Sequence, residues 1–333
     1  MNKLVKRIVA AGMTVAMVGT MFAGCANNAQ TTDDTETTKT YKVGVCQLVQ
    51  HDALDAATQG FQDALKEILG DAVEIDVQNA SNDSATCATI TNGFVADGYD
   101  LIMANATPAL QAAMQSTETI PIVATSVTDF ATALEISDWT GTTGMNVTGT
   151  SDLAPLAEQA QMIKELCPDA KTVGILYCSG EPNSVYQAKV VAEELAKLGY
   201  TTKEYTVADT NDIASVTQTA CDNSDVIYIP TDNTMASSTG TIDPITSKAN
   251  IPVITGEEGI CKGCGLATLS ISYYSIGYKA GEMAAEILQD GKDPSTMEIA
   301  YAEDLTKKYV EERATALGIT VPDTYEAIDM TEE

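Results

Sequence analysis

Positive charge is scarce in this sequence: 18 Lys and Arg stand against 47 Asp and Glu, a net charge of −29. A nucleic-acid partner is excluded on that ground, because phosphate binding needs a basic surface. Broad attraction to an anionic membrane is excluded for the same reason. The chain has one His and one Trp, and aromatic residues make up 5% of it. No G-x-S-x-G, H-E-x-x-H or Walker loop occurs, so the sequence does not indicate an enzyme. Eight Cys are present. Setting Cys25 aside leaves an odd number, which makes no simple disulfide framework. Cys261 and Cys264 have redox or zinc spacing, but they form a single pair and His51 is far away in sequence. Neither a metal nor a cofactor is expected. The apolar stretch at 8–23 is sixteen residues long, short for a membrane span.

What is present fits a globular protein of about two domains, 333 residues with 44% hydrophobic and 20% charged content. Residues 1–24 have the form of an export leader: Lys3, Lys6 and Arg7, then the apolar stretch, then Phe22-Ala23-Gly24-Cys25. Small residues before a Cys at the end of a leader resemble the bacterial lipobox, in which the Cys is lipidated. Cys25 is therefore expected to anchor the chain outside the cell membrane. Residues 26–40 contain no aliphatic residue larger than Ala and read as a flexible tether.

Beyond residue 40 the chain repeats itself. Val43-Gly44-Val45 returns as Val173-Gly174-Ile175, and Ile120-Pro121-Ile122-Val123 as Ile251-Pro252-Val253-Ile254. Asp100 opens an apolar strand as Asp225 does, and seven residues on Thr107 answers to Asp232. Three echoes in one order over such a period predict two similarly built lobes rather than a solenoid. Each lobe alternates strands with amphipathic helices, so the fold class is α/β, doubly wound and Rossmann-like, with parallel sheets. The predicted lobes are 41–149 with 268–294, and 150–267 with 295–333. They are joined at 149–151, 265–268 and near 290–294. In such sheets ligands sit beyond the carboxyl ends of the strands.

The strings GVCQLVQHDALDAATQGFQDAL, ATPA at 106–109, PIVATSVTD, NVTGTSD, GILYCSGEPNSV, PTDNTMASS and GLATLSISYYSIGYKAGEMAAEIL resemble one group of bacterial substrate-binding lipoproteins. The resemblance covers most of 41–316. It departs at Phe130, where many relatives have Pro, and at the Cys261–Cys264 segment. It implies a type-I periplasmic-binding fold with a ligand between hinged lobes. It also implies partners in the permease and ATPase subunits of an ABC importer, and an amino-acid ligand, best an aromatic one. A membrane-anchored sensor of the same fold, or a binder of nucleosides or sugars, is the alternative.

An amino acid needs donors for its carboxylate, a carboxylate for its ammonium and an apolar slot. Thr107, Thr128 and Ser184 are the candidates for the first. Asp232, Glu181 or Glu257 are candidates for the second, with Asp232 preferred and Asn233 beside it. Tyr177, Tyr186, Tyr273 and Trp139 are candidates for the slot. Gln47, His51, Asp129 and Asn183 stand at the same strand ends. Residues at these positions also stand where helix caps stand, so capping is the alternative role.

Overall fold

The computed structural model describes residues 39–330. The leader, Cys25 and the tether up to Thr38 lie outside the described residues. The first run of the chain is β1 (Tyr41–Gln47), α1 (Asp52–Leu69), β2 (Val73–Asn79), α2 (Ser84–Ala96), β3 (Leu101–Asn105), α3 (Thr107–Ser116), β4 (Ile122–Thr125), α4 (Phe130–Ala133) and β5 (Val147–Ser151). The second is α5 (Leu156–Leu166), β6 (Thr172–Cys178), α6 (Pro182–Lys197), β7 (Thr201–Val207), α7 (Ile213–Asn223), β8 (Val226–Ile229), α8 (Asn233–Ala236), α9 (Thr239–Ala249), β9 (Val253–Thr255), α10 (Glu258–Cys264) and β10 (Ala267–Ser270). The chain ends through α11 (Tyr273–Asp290), β11 (Ala300–Tyr301), β12 (Thr306–Tyr309), α12 (Glu311–Leu317) and β13 (Glu326–Ala327).

Two sheets result, ordered β2-β1-β3-β4-β5-β11 and β7-β6-β8-β9-β10-β12-β13. Every pairing is parallel except β10 with β12. The shared order is the duplication read from the sequence, and the repeated residues have matching work. Asp100 accepts a hydrogen bond from the Lys42 amide at the start of β1 (2.9 Å), and Asp225 does so from Lys171 and Thr172 at the start of β6 (2.9 and 2.8 Å). A Cβ at Gly44 would come within 2.5 Å of the Phe94 ring, and one at Gly174 within 2.5 Å of the Ser224 hydroxyl. The V-G-[VI] echo therefore keeps each leading strand tight against its covering layer. β3 and β8 are buried along their whole length, as continuous apolar strands covered on both faces should be.

The crossovers differ from those predicted. β5 and β11 both belong to the first sheet and β10 to the second. The chain therefore passes between lobes at 152–155, 271–272 and 302–305, not at 149–151, 265–268 and 290–294. Residues 295–301 stay with the first lobe because Ala300 and Tyr301 pair with Thr150 and Ser151. α11 follows a second-lobe strand yet covers the first sheet, packing on α1. There a Cβ on Gly277 would meet Ala57 O at 2.0 Å, and one on Gly60 would meet Tyr274 O at 2.2 Å.

Other differences are local. The 256–265 segment contains α10, because Glu257 caps its first amides while Arg313 donates to the carbonyls of Cys261, Lys262, Gly263 and Gly265. Capping at both ends outweighs two glycines. Thr306–Tyr309 forms β12, which pairs with β10 on one side and β13 on the other. Ser237 and Ser238 separate α8 from α9, and Pro244 lies inside α9. Ile68 of α1 is exposed. All seven described cysteines are free and buried. No described helix is long and apolar enough to cross a membrane.

Candidate functional site

The carboxyl ends of both sheets converge on a narrow cleft between the lobes. Six connections build it. The β1–α1 turn brings His51, and the β4–α4 turn brings Ser126 and Thr128. The end of β5 brings Asp152, and the start of α6 brings Asn183. The β8–α8 turn brings Thr231, Asp232 and Asn233, and the β9–α10 turn brings Glu257. Leu54, Ala236 and Tyr273 complete the lining. The space open to the centre of a water molecule is about 10 Å3, roughly the room of one water. Three hydrogen bonds hold the walls together: His51 Nε2 with Asn233 Oδ1 (3.3 Å), Asn82 Nδ2 to Thr234 Oγ1 (3.2 Å), and the Tyr273 hydroxyl to Asp152 Oδ2 (2.9 Å). The first two run from the first lobe to the opening turn of α8.

The acidic residues of the cleft differ in what they have left to offer. Glu181, directly behind it, accepts from the amides and side chains of both Asn233 (3.0 and 2.7 Å) and Thr234 (2.8 and 2.7 Å). Asp232 accepts from the Cys178 amide (2.7 Å) and, as cap of α8, from the Met235 amide (2.8 Å). Burial, and secondarily the Glu181 charge, hold the Asp232 carboxyl well above the usual carboxylate range. Glu257 accepts from the amides of Gly259 (2.6 Å) and Ile260, and burial pushes it up to about 7. Asp152 is different. Its Oδ2 takes the Tyr273 hydroxyl, while its Oδ1 has no partner among the described residues. Burial raises its pKa, against the pull of the Tyr273 and Thr128 hydroxyls.

Two more polar atoms in the cleft are unpaired. Asn183 donates to Glu181, Ser184 and Thr231 (3.3, 3.3 and 3.2 Å), which leaves its Oδ1 free. Ser126 has φ of 54°, in the left-handed region, and its hydroxyl is unpaired. Six buried side-chain polar atoms lack a partner among the described residues, and three of them meet here. An unpaired buried polar atom costs about 1–3 kcal/mol, so their convergence makes this cleft the candidate place for a polar ligand. No Lys or Arg lines the cleft. Two of the free atoms are acceptors. The lowered pKa of His51, caused chiefly by burial, adds no positive charge near neutrality.

Of the residues singled out by sequence, His51, Thr128, Asn183, Asp232, Asn233 and Glu257 line this cleft. Ser184 is buried beside Asp232 and Glu181 lies behind. Gln47 turns away: it donates to Val49 O (2.9 Å) and Asp55 (2.5 Å) and accepts from Thr58 (2.6 Å). Thr107 is buried in the first turn of α3, outside the lining. Asp129 caps α4 through the Thr132 amide (2.7 Å). Among the four aromatic slot candidates only Tyr273 is here. Tyr177 is tied to Glu204 (2.6 Å) and Trp139 packs on the first-lobe core. Sequence reasoning missed Ser126, Asp152 and Thr231 as site residues. The only pointer to Asp152 was its place directly after a strand, at a crossover that had been set a few residues too early. Among the described residues no group of three or more His, Cys, Asp or Glu is arranged to hold a metal. Burial raises the pKa of both Cys261 and Cys264, which keeps them as thiols.

A family described as ABC transporter substrate binding protein matches residues 42–328. A tyrosine-binding protein of Clostridioides difficile is 35% identical over 296 residues, 86% of this chain and 84% of that protein. An ABC domain from Streptococcus pneumonia, solved in complex with L-Trp, has a TM-score of 0.83 at 32% identity, covering 87% of this chain and 100% of that one. The ligand-free, open structure of a substrate-binding protein with adhesive properties from Clostridium difficile has a TM-score of 0.67 at 36% identity, covering 86% and 99%. The described chain thus lies nearer in shape to the L-Trp complex than to the open, ligand-free structure, despite similar identities. Its fold is the type-I periplasmic-binding fold.

Proposed function

Because the chain belongs to the ABC transporter substrate-binding protein family, we propose that it captures a free α-amino acid between its lobes and delivers it to the permease and ATPase subunits of an importer. The observation that carries this reading is the meeting of Ser126 Oγ, Asp152 Oδ1 and Asn183 Oδ1, all unpaired, in a cleft without Lys or Arg. A primary ammonium offers three N–H donors and one positive charge. Two acceptors, one of them on a buried carboxylate, are its complement. Asp152, rather than Asp232, is the ammonium partner, since both oxygens of Asp232 are already engaged by backbone amides.

The ligand's carboxylate belongs at the first-lobe side. In the second lobe the starts of α8 and α10 are occupied by Asp232 and Glu257. In the first lobe the hydroxyls of Ser126 and Thr128 stand at a strand end. Hydroxyl donors suit an anion. An aromatic amino acid is the best single assignment, supported by relatives that bind tyrosine or were solved with L-Trp.

Thermal-shift screening of amino acids, nucleosides and sugars tests the ligand class. Stabilisation by aromatic amino acids supports it, and stabilisation by sugars or nucleosides alone refutes it. Delivery takes place on the outer face of the cell membrane, with the chain held there through lipidated Cys25. Expressed in a lipidating bacterium, Cys25→Ala should move to the soluble fraction. Its retention in the membrane as in the wild type would refute the anchor.

A further inference from the structure

The two hydrogen bonds that run from the first lobe to the opening turn of α8 share one sense, and a buried carboxylate behind them sets it. Glu181, at the head of α6, is 4% exposed. Its Oε2 receives the amide and side chain of Asn233, its Oε1 receives those of Thr234, and Asn183 Nδ2 stands 3.3 Å away. With five donors on two oxygens, it acts only as an acceptor. We propose that Glu181 is a positioning residue for lobe closure: by taking the donor atoms of Asn233 and Thr234 it turns their acceptor atoms toward the first lobe, and so requires donors from His51 and Asn82. The inference rests on the reading that ligand is held between the lobes and adds a residue outside the cleft that governs how they meet.

The donor–acceptor logic is closed. Asn233 Nδ2 lies 2.7 Å from Glu181 Oε2, where an amide oxygen would face a carboxylate oxygen. The NH2 group therefore points at Glu181 and Oδ1 at His51 Nε2, 3.3 Å away. An amide oxygen only accepts, so His51 carries its proton on Nε2. Thr234 is held in the same way. Its one hydroxyl hydrogen goes to Glu181 Oε1 (2.7 Å), which leaves Oγ1 to accept from Asn82 Nδ2 (3.2 Å). Two like oxygens are needed for this, and a glutamine has one oxygen and one NH2. Either end of a glutamine side chain would meet a fixed backbone amide, of Asn233 or Thr234. At the Oε2 end, however, two side-chain amides, Asn233 and Asn183, are able to turn over and accept. The NH2 of Gln therefore belongs at that end. Asn233 then offers NH2 to His51, and the imidazole has to accept on Nε2 with its proton moved to Nδ1. That form is needed only when the lobes meet, so its cost falls on closure.

His51 is the only His in the chain, so nitrogen NMR of the imidazole, on protein made without a His tag, reads its tautomer directly. Spectra are taken near pH 8, where burial keeps the ring neutral, both free and with saturating L-tyrosine. In the wild type the protonated nitrogen should couple to both ring C–H groups, the mark of Nε2–H. In Glu181→Gln the protonated nitrogen should become Nδ1. Asn233→Ala in the Glu181→Gln background should restore Nε2–H, the form a free neutral imidazole favours, because Asn233 alone carries the effect to the ring. A general disturbance of the fold would not be reversed by a second deletion. A bare Nε2 in the wild type overturns the proposal whatever the variants do, and so does Nε2–H retained by Glu181→Gln in both samples. By calorimetry, Glu181→Gln should bind L-tyrosine about threefold or more weakly than the wild type, and equal affinity would refute its part in closure. If L-tyrosine does not bind the wild type, the ligand reading fails separately and the spectra of the free protein, whose lobes these bonds join, decide the role of Glu181.

Discussion

Replacing Asp152 by Asn separates a ligand-binding carboxylate from a structural one. The side chain keeps its shape. An Asn oxygen in place of Oδ2 still accepts the Tyr273 hydroxyl, which now sits at 2.9 Å. What changes is the free atom: an acceptor with a negative charge becomes a neutral NH2 donor aimed at the ligand's ammonium. Losing the partner of a buried charge costs about 3–5 kcal/mol. At 1.4 kcal/mol per factor of ten, that is a loss of affinity of roughly two to three and a half orders of magnitude. The ligand-free protein should respond in the opposite sense. Asp152 is buried and its pKa is raised by desolvation, so its ionised form opposes folding at neutral pH. Asp152→Asn should therefore melt no lower than the wild type without ligand, and lose nearly all of the ligand-induced rise. Calorimetry and thermal melts with the amino acid that best stabilises the wild type give both quantities. If the variant binds within about threefold of the wild type, below the cost of one charged hydrogen bond, Asp152 is not the ammonium partner.

Three further outcomes follow from the same structure. Glu257, pushed up to about 7, and Asp232 and Asp152, also raised, hold protons more tightly folded than unfolded. Their stability contribution is full below the unfolded carboxyl range and is lost as pH rises through the folded values. The ligand-free protein should thus melt several degrees higher near pH 5 than near pH 8, with the lowered His51 opposing below its usual range and the lowered Glu165, Glu258 and Asp225 acting only in stronger acid. A melting temperature that rises from pH 5 to pH 8 would refute this. Gly277→Ala places a Cβ 2.0 Å from Ala57 O; forcing α1 and α11 apart should cost about 1–3 kcal/mol, read from the denaturant midpoint, and an unchanged midpoint would contradict the packing. His51→Ala and Asn82→Ala each remove one bond between the lobes. Each should weaken ligand binding by about 1 kcal/mol, roughly fivefold, by calorimetry, and an unchanged affinity in both would mean that these bonds do not contribute to closure.

Much of the architecture was legible because it rests on periodic, local patterns. Buried strands such as Val226–Ile229 are continuous in apolar residues, and the duplicated Asp100 and Asp225 mark strand starts through backbone hydrogen bonds set close by in the sheet. The crossovers were displaced because their boundaries depend on strand pairing across long sequence separations, as when Ala300 joins Thr150. α10 was hidden because what holds it, Arg313, lies some fifty residues downstream.

The site was legible as a region and not as a set of roles. Strand-end polar residues were found because that edge is where helices begin. Telling a cap from a free acceptor needs three-dimensional bookkeeping. Glu257 spends both oxygens on helix amides, and Asp232 spends one on a helix amide and one on the Cys178 amide at the end of β6. Asp152 has one oxygen to spare because Tyr273, from a distant crossover, takes the other and no described residue takes the first. Gln47 pointed to the site by position and is absorbed by Asp55 and Thr58 within its own lobe.

The claim on which the rest depends is that a free ammonium is held by Asp152 between the lobes. Calorimetric titration of the wild-type protein with L-tyrosine and L-tryptophan, each beside its N-acetyl derivative, tests it most directly. The account predicts saturable one-to-one binding of at least one free amino acid and a loss of about a hundredfold or more on acetylation, which removes the charge and two of the three donors. Equal binding of a free amino acid and its acetylated form would contradict it.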